Sequence, residues 1–449
     1  MTKRATTLAD AYRACAPDQP LQSDSPWYLD LSPGRGDDVV SVLRKRFDLY
    51  QPPSNDDDDH DPSRYVRVAF LSHRGAGKTT ELHRLSSATR QRFHRIYLAA
   101  NKELDEQDIE IEDLLFALAV AVERDANERN APIPPRVADK VGAWFSDVIQ
   151  TTEWATKSGV SLDPSKGAAS LFKLLSSQVA PVFKHTVEHR TELRAALRRQ
   201  PKALVEAVNQ LLDAANASLQ KKGRELVVVI DNLDRYPPAV ANKLLVERGA
   251  MLRDLRTHFV ITPPIALHYK PVSEPLRSYY DVELMNTVRI RGKDDPYNEP
   301  SGAGADILLQ ALRLRFDVDA LIPNTDAQQR IITASGGAMR ELLHIIQQAI
   351  LRTEGDLHTP ATTLTLAAID KAVAAIRTEY RDRINVNEWM PTLAHIARTK
   401  QLPGHQESMD VLFQRLALKY NGQGWYDVHP LVAELDEFTA AMAAAPTGS

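Results

Sequence analysis

The 449-residue sequence has one cysteine and few aromatic residues, which make up 6% of the chain. The single Cys15 excludes an intrachain disulfide framework and a cysteine-based zinc site, and it is typical of a reducing compartment. The 13 histidines show no metal-ligand spacing. We therefore expect no transition-metal centre in this protein.

Long apolar runs are also missing. No stretch reaches the ~18 consecutive apolar residues of a membrane-spanning helix, and residues 1–20 lack the apolar core of a signal peptide. Lys and Arg total 55 against 59 Asp and Glu, a formal net charge of −4. This balance argues against a surface devoted to nucleic acid, although it leaves room for a local basic patch. We expect a cytoplasmic protein of two or three domains, without membrane association.

Strand and helix patterns alternate in the first two thirds of the chain and then become helical. The alternation predicts an α/β protein with a parallel sheet and helices on both faces. The predicted parts are a flexible N-terminal arm (1–26), an α/β domain (27–301) with a helical insertion (about 132–222), a helical lid (302–384), and a small C-terminal unit with a tail (385–449). Two helices followed by a Gly-rich turn make this last unit fit a winged helix.

The strongest motif is the loop after the first predicted strand. It reads Ser-His-Arg-Gly-Ala-Gly-Lys-Thr-Thr and matches the phosphate-binding P-loop, except that Ser72 stands where the first glycine usually lies. Glycines let backbone N–H groups turn toward phosphate oxygens, the lysine contacts the β- and γ-phosphates, and a threonine hydroxyl is offered to Mg²⁺. The candidate ATP-binding residues of the loop are Arg74, Gly75, Ala76, Gly77, Lys78, Thr79 and Thr80, with Thr79 also a metal ligand.

A second motif ends the β-branched run at residues 226–230. Asp231 is the expected carboxylate partner of a P-loop, acting on Mg²⁺ or its water, with a helix cap as the plain alternative. Asn232 occupies the place where many such ATPases carry the acidic residue that polarises the attacking water. Asp234 is the nearest further carboxylate, and it acts either as that base or as the partner of Arg235. Slow hydrolysis is expected.

Two further candidates for catalysis lie downstream. Thr262 ends an apolar strand and is either a γ-phosphate sensor or an ordinary strand threonine. Arg340 follows Gly336 and Gly337 at the start of a helix. Given a P-loop upstream, this arginine is expected to reach the γ-phosphate from the lid; the alternative is a surface arginine.

One basic face bears on nucleic-acid binding. Arg190, Arg194 and Arg198 are spaced four apart and share one helix face. They could contact phosphates of a nucleic acid or of a neighbouring subunit's nucleotide, but a solvated basic face is the expectation.

Together these motifs resemble the P-loop ATPases of the AAA+ and STAND groups. The chain is most similar to bacterial STAND-type proteins with the P-loop Arg-Gly-x-Gly-Lys-Ser/Thr-Thr-Glu-Leu, here residues 74–82, and to the end of their small C-terminal domain at residues 425–432. The KAP group is a close rival because its acidic motif also reads Asp-x-Leu-Asp-Arg. KAP proteins often carry membrane segments, however, and this sequence has none.

The resemblance covers residues 28–432 in outline and implies a fold, a ligand and a role. It implies an ASCE-type sheet, in which one strand lies between the P-loop strand and that of Asp231. It also implies that the turn at Gly34 and Arg35 packs on adenine. Its departures, at Ser72 and Asn232, argue against fast turnover.

The expected function is that of an ATP- and Mg²⁺-binding switch ATPase of the STAND/AAA+ type. It would act in bacterial defence or signalling, through a homo-oligomer or a separate effector protein. The alternative is a DNA-binding AAA+ loader or regulator that uses the winged helix. Nucleic-acid binding is not favoured, because the charge near the C-terminal unit is mixed. A small-molecule kinase lacks an evident acceptor site.

Overall fold

The computed structural model describes residues 4–50, 64–158, 172–268, 270–297, 299–354, 361–420 and 424–444. By packing, the chain divides into two compact units. The first combines residues 1–43, 71–87 and 284–449, and the second combines residues 44–70 and 88–283. In this division the P-loop segment groups with the two ends of the chain, and the four consecutive parts expected from the sequence stay a prediction. Of the expected tail, 443–449, the last five residues lie outside the described residues.

A five-stranded sheet organises the α/β part of the chain. Its strands are β1 (Arg67–Leu71), β2 (Phe93–Ala99), β3 (Glu225–Asp231), β4 (His258–Ile261) and β5 (Asp281–Leu284). Their spatial order is β2-β3-β4-β1-β5. The pairs β2–β3, β3–β4 and β4–β1 are parallel. The sheet confirms the predicted parallel α/β architecture, and β4 lies between the P-loop strand and the strand of Asp231.

The central strands are apolar because both of their faces are covered. All five residues of β1 are buried, as are Leu226 to Asp231 of β3 and all of β4. Val228 aligns with Ile96 on one side and with Phe259 on the other. A run of β-branched residues suits such a strand, since neither face has to meet water.

Helices make up most of the second unit outside the sheet. They are Ala100–Glu103, Ile111–Glu128, Pro135–Gln150, Glu153–Ser158, Ala180–His185, Val187–Arg198, Pro201–Gln220, Pro238–Asn242, Gly249–Arg253 and Lys270–Arg277, with π-helical turns at Leu175–Val179 and Lys243–Glu247. The described part of the insertion at 132–222 is therefore helical, as expected. Among the described residues, no helix is long and apolar enough to cross a membrane.

The first unit is helical apart from a short hairpin. Helices Val39–Leu49 and Lys78–Thr89 begin in it, and the others are Leu8–Ala14, Ser32–Arg35, Gly302–Arg313, Val318–Leu321, Thr325–Ala334, Met339–Ile350, Leu366–Asp382, Val386–Thr399, Glu407–Phe413, Pro430–Ala433 and Asp436–Ala444. Strands β6 (Ala417–Tyr420) and β7 (Trp425–Val428) pair in antiparallel fashion after two helices. We call β6 and β7 the C-terminal hairpin.

The N-terminal arm is more ordered than the sequence led us to expect. Leu8–Ala14 forms a helix capped by the hydroxyl of Thr7, and Leu8, Ala11 and Ala14 are buried. The guanidinium of Arg315 donates to the carbonyl of Ala14 at 2.8 Å. The small apolar residues of the arm have too little periodicity to reveal this packing, which depends on a distant part of the chain.

The arginine helix Val187–Arg198 is not a solvated basic face, so that expectation was wrong. Arg190 and Arg194 are only 1% and 6% exposed. Arg194 pairs with Asp113 and with Asp108, and Arg190 pairs with Asp105 at 2.9 Å. Arg198 pairs with Glu110 and Glu112. The carboxylates of the segment before and at the start of helix Ile111–Glu128 therefore neutralise all three arginines, which leaves little charge for phosphates.

Candidate nucleotide-binding site

The P-loop connects the end of β1 to the start of helix Lys78–Thr89. Gly75 and Gly77 have φ values of +85° and +104°. An L-residue adopts these values only at a cost, so both positions require glycine for the loop to curl. Successive backbone N–H groups of such a loop, followed by a helix N-terminus, form an anion-binding cradle.

Lys78 is held inside the loop by the residue that departs from the motif. Its Nζ donates to the carbonyl and to the hydroxyl of Ser72, both at 3.0 Å, and to the carbonyl of His73 at 3.3 Å. The Lys78 side chain is buried. Ser72 thus adds a side-chain acceptor that glycine could not supply, and it positions the lysine instead of merely breaking the pattern.

The upstream turn reaches the P-loop through Arg35. This arginine is buried, and its Nη2 donates to the carbonyl of Ala76 at 2.8 Å while its Nη1 pairs with Glu81 at 3.2 Å. A Cβ on Gly34 would lie within 2.9 Å of side-chain atoms of Ile307 and Val288. Glycine is needed here so that the turn packs closely enough to place Arg35 on the loop.

Arg340 contacts the P-loop backbone from the lid. Its amide donates to the carbonyl of Gly75 at 3.1 Å, and a Cβ built on Gly75 would lie 2.7 Å from the Cβ of Arg340. The preceding Gly336 and Gly337 have positive φ and turn the chain into helix Met339–Ile350. The guanidinium pairs with Asp18 of the N-terminal arm. Arg340 is therefore not a plain surface arginine, although its contact to a phosphate remains a prediction.

The C-terminal hairpin also bonds to the loop. The backbone N–H of Lys419 donates to Nε2 of His73 at 3.0 Å. The Tyr420 hydroxyl donates to the carbonyl of Gly336 at 2.9 Å, in the turn before Arg340. Burial, and then the charge of Lys78, lowers the pKa of His73 to about 3. His73 is thus neutral near pH 7 and can accept the backbone hydrogen bond.

In the second unit, Asp231 ends β3 and is fixed by three donors. The Tyr97 hydroxyl donates to its Oδ2 at 2.6 Å, the Thr262 hydroxyl to its Oδ1 at 2.8 Å, and the Asn232 amide to its Oδ1 at 2.7 Å. Thr262, expected as a phosphate sensor or an ordinary strand residue, therefore orients Asp231. Burial, followed by the Asp231 carboxylate, raises the pKa of Tyr97, so its hydroxyl stays protonated and donates.

The position after Asp231 lacks a basic group. Asn232 has φ of +66°, and its side-chain amide donates to Oδ1 of Asn101 at 2.8 Å. Asp234 is buried within the 3₁₀ turn Leu233–Arg235. An amide cannot accept the proton of an attacking water, so Asp234 is the nearest carboxylate in sequence that could.

The sequence named the loop residues, Asp231 and Arg340 as candidates, and their role in nucleotide binding stays a prediction; it gave no indication of several of their partners. Tyr97 lies in an apolar strand, where a tyrosine gives no signal beyond strand propensity. Asp18 lies in a polar segment without periodicity, and His73 occupies a position that the P-loop motif leaves unspecified. Each gains its role from a contact to a residue far away in sequence, which spacing alone does not reveal.

The chain is similar to one protein family and to several solved structures. A family model described as KAP family P-loop domain matches residues 75–247. The matched region includes most of the P-loop and the Asp-x-Leu-Asp-Arg motif that made the KAP group a rival of the STAND group. No curated protein matched the chain.

Three solved structures to which this chain is similar are proteins of Aeropyrum pernix and Pyrobaculum aerophilum. The ORC2 protein of Aeropyrum pernix, in ADPNP–ADP complexes, is 13% identical, with 96% of this chain and 98% of that chain covered and a TM-score of 0.39. The ORC1 protein of the same organism, in complex with DNA, is 12% identical with coverages of 96% and 97% and a TM-score of 0.39. CDC6P from Pyrobaculum aerophilum is 12% identical with coverages of 92% and 98% and a TM-score of 0.34.

Nothing about binding or assembly in this chain follows from those distant similarities. The match to the family model and the geometry of the loop are what bear on the chain itself. It carries a P-loop NTPase domain, and the family model that matches residues 75–247 is that of the KAP group, the rival that the acidic motif already indicated.

Proposed function

We propose that this protein is an ATP-binding, slowly hydrolysing switch ATPase of the STAND/AAA+ type. Its conformation or assembly would change with the bound nucleotide, and it would act through a self-assembled form or a separate effector protein. One observation carries the proposal. Three segments far apart in sequence touch the P-loop backbone or its histidine: Arg35 from upstream, Arg340 from the lid, and the C-terminal hairpin through Lys419. A change in the loop on nucleotide binding would therefore act on all three.

A switch needs more than binding, because a ligand shifts an equilibrium only through different interactions with the two states. Arg340 supplies such a difference if its guanidinium contacts the γ-phosphate of ATP, which ADP lacks. The backbone amide of Arg340 is already hydrogen-bonded to the carbonyl of Gly75. A change in the partner of its guanidinium, from Asp18 to the γ-phosphate, would therefore make the contact to ATP. A charge-assisted contact of about 1.5–3 kcal/mol would favour the ATP state by roughly 10- to 150-fold.

The residues present fit Mg²⁺ as the metal. The hydroxyl of Thr79 in the first unit is an oxygen donor of the kind that Mg²⁺ prefers, and, considered separately, so is the carboxylate of Asp231 in the second unit. Among the described residues no group of three or more His, Cys, Asp or Glu could hold a metal by itself. This suits an ion that shares its coordination with phosphate oxygens and water. When bound, Mg²⁺ would neutralise charge on the phosphates.

Slow turnover follows from the chain's own groups. Lys78 and the curled backbone bind phosphate, while Tyr97 and Thr262 keep the carboxylate of Asp231 in one orientation. Asn232 cannot take a proton from water, and the buried Asp234 replaces it as the candidate base. A state with ATP bound and intact therefore persists, as a switch requires.

In the C-terminal unit two helices precede the hairpin, an order that fits a winged helix. This feature favours a DNA-binding loader as the second candidate. The contacts of the hairpin favour a packing role instead. Tyr420 and the backbone of Lys419 are bonded to the lid turn and to His73. The hairpin would stay bonded to the P-loop in one nucleotide state and separate from it in the other.

The test compares the mass of the protein by light scattering without nucleotide, with ADP and with ATP. Lys78→Ala should abolish nucleotide binding and any ATP-dependent change in mass, while Lys45→Ala, at an exposed helix position, should alter neither. Adding DNA at several salt concentrations distinguishes the second candidate, since a loader loses affinity steeply as salt rises. Wild-type affinity for ATP in Lys78→Ala would refute the assignment of the site.

A further inference from the structure

The N-terminal arm lies against both the P-loop helix and the lid. The amide of Leu21 donates to Oγ1 of Thr80 at 3.1 Å, and Nδ1 of His83 lies 3.0 Å from the carbonyl of Leu21. Between this anchor and the helix Leu8–Ala14, Asp18 pairs with the guanidinium of Arg340. The arm is therefore attached on both sides of Asp18, whose carboxylate reaches the lid arginine.

The other side of the attachment is also specific. The side-chain amide of Gln347, in the same helix as Arg340, donates to the carbonyl of Tyr12 at 2.9 Å. Together with the bond from Arg315 to Ala14, this contact fixes the arm helix on the lid. Asp18 is thus held near Arg340 at a high effective concentration and does not meet it by chance.

We propose that Asp18 sets the preference between nucleoside triphosphate and diphosphate by competing with the γ-phosphate for Arg340. This inference rests on the proposed function and names the regulation of the same site. One guanidinium cannot serve both anions fully, because its donors are fixed in one planar fork. Without a γ-phosphate Asp18 keeps the arginine, and a triphosphate has to displace the carboxylate before it gains the contact.

The exposure of the pair makes the competition reversible. The side chains of Arg340 and Asp18 are 24% and 75% exposed. Exposed ion pairs contribute little free energy, so the carboxylate is a weak competitor and a phosphate group with more negative charge prevails. Asp18 would therefore raise the concentration of triphosphate needed for switching without preventing it, and the diphosphate, which does not need Arg340, would be unaffected.

The experiment measures the affinities of ADP and of the non-hydrolysable triphosphate ADPNP by titration calorimetry in the full chain. Asp18→Asn keeps the size of the side chain and removes its charge. We expect it to tighten triphosphate binding by roughly 2- to 5-fold, the range of an exposed ion pair, and to change the ADP affinity by less than about 2-fold. Asp24→Asn, at an exposed position in the same arm, removes the same charge and should change neither affinity.

A double-mutant cycle shows whether the effect passes through Arg340. In an Arg340→Ala background, Asp18→Asn should have no effect on the triphosphate, because the carboxylate no longer has a partner to withhold. A second readout is hydrogen exchange in residues 15–27: the triphosphate should increase it in the wild type, the diphosphate should not, and Arg340→Ala should remove the difference.

Three results would overturn the inference. Equal gains for ADP and the triphosphate in Asp18→Asn, no change in either, or the same gain in the Arg340→Ala background would each show that Asp18 does not act by competition, while the nucleotide site itself would stand. Failure of the wild type to bind either nucleotide in a Lys78-dependent manner would instead refute the proposed function, and the inference with it.

Discussion

Replacing Gly75 with alanine tests whether the lid senses the P-loop by direct backbone contact. Gly75 has φ of +85°, a conformation that costs an L-residue about 1–2 kcal/mol. A Cβ there would lie 2.7 Å from the Cβ and 3.1 Å from the Cδ of Arg340. Two carbon atoms do not approach so closely, so either the loop or the first turn of helix Met339–Ile350 has to move.

The expected magnitude combines two costs. The movement weakens the 3.1 Å hydrogen bond from the amide of Arg340 to the carbonyl of Gly75. Such a bond contributes about 0.5–1.5 kcal/mol net, and with the backbone cost the total is roughly 1.5–3.5 kcal/mol. If all of it opposes the nucleotide-bound loop, Gly75→Ala weakens binding by roughly 10- to 400-fold.

ADP affinity measured by calorimetry is the suitable assay, because ADP binding does not require the guanidinium. Gly223→Ala is a matched control: its φ is +67°, and an added Cβ meets no described atom within 4 Å. It should incur a similar backbone cost to stability but leave the ADP affinity unchanged. Arg340→Gly removes the opposing Cβ, so in that background Gly75→Ala should lose only the backbone part. Equal losses in both backgrounds would refute the reasoning.

Two further predictions concern Asp231 and His73. Asp231→Asn should reduce Mg²⁺-dependent hydrolysis far more than nucleotide binding, and equal hydrolysis by wild type and Asp231→Asn would remove the metal assignment. Tyr97→Phe removes one donor to Asp231, so in a Mg²⁺ titration it should raise the Mg²⁺ concentration needed for hydrolysis by roughly 2- to 10-fold. Because the pKa of His73 is lowered to about 3, the unfolded chain binds one more proton than the folded one between that pH and about 6.5. The free energy of unfolding should therefore fall by about 1.4 kcal/mol per pH unit below 6.5 on account of His73, and denaturation of His73→Gln at pH 7 and pH 5 should show a smaller fall. An unchanged pH dependence in that variant would contradict the buried, neutral histidine.

The parts predicted correctly from the sequence are those fixed by local pattern. The β-branched run before Asp231 indicates a strand covered on both faces, and the glycines before Lys78 indicate a curled loop between a strand and a helix. In both cases neighbouring residues determine the backbone. The same locality let Gly336 and Gly337 mark the turn before Arg340.

The wrong predictions concern the surroundings of an element whose secondary structure was predicted correctly. Spacing placed Arg190 and Arg194 on one helix face, but only the fold shows that this face meets Asp108 and Asp113, some 80 residues earlier in the chain. A buried arginine is stable only with partners of opposite charge, and those partners are invisible to a helical periodicity. The order of the N-terminal arm escaped prediction for the same reason, since its contacts lie near residues 80–83 and 315–347.

The distribution of these contacts separates nucleotide binding from switching. The cradle itself depends on residues 72–79, where glycine conformations and Lys78 act over a few residues. Communication depends on contacts contributed by distant segments, through Arg35, Arg340 and the hairpin residue Lys419. If one of these distant contacts is lost, we expect the P-loop still to curl. The φ values of its glycines and the bonds from Lys78 to Ser72 do not depend on that contact. On the proposed function, nucleotide affinity would therefore depend mainly on one short loop, and discrimination between ATP and ADP mainly on the segments that meet it.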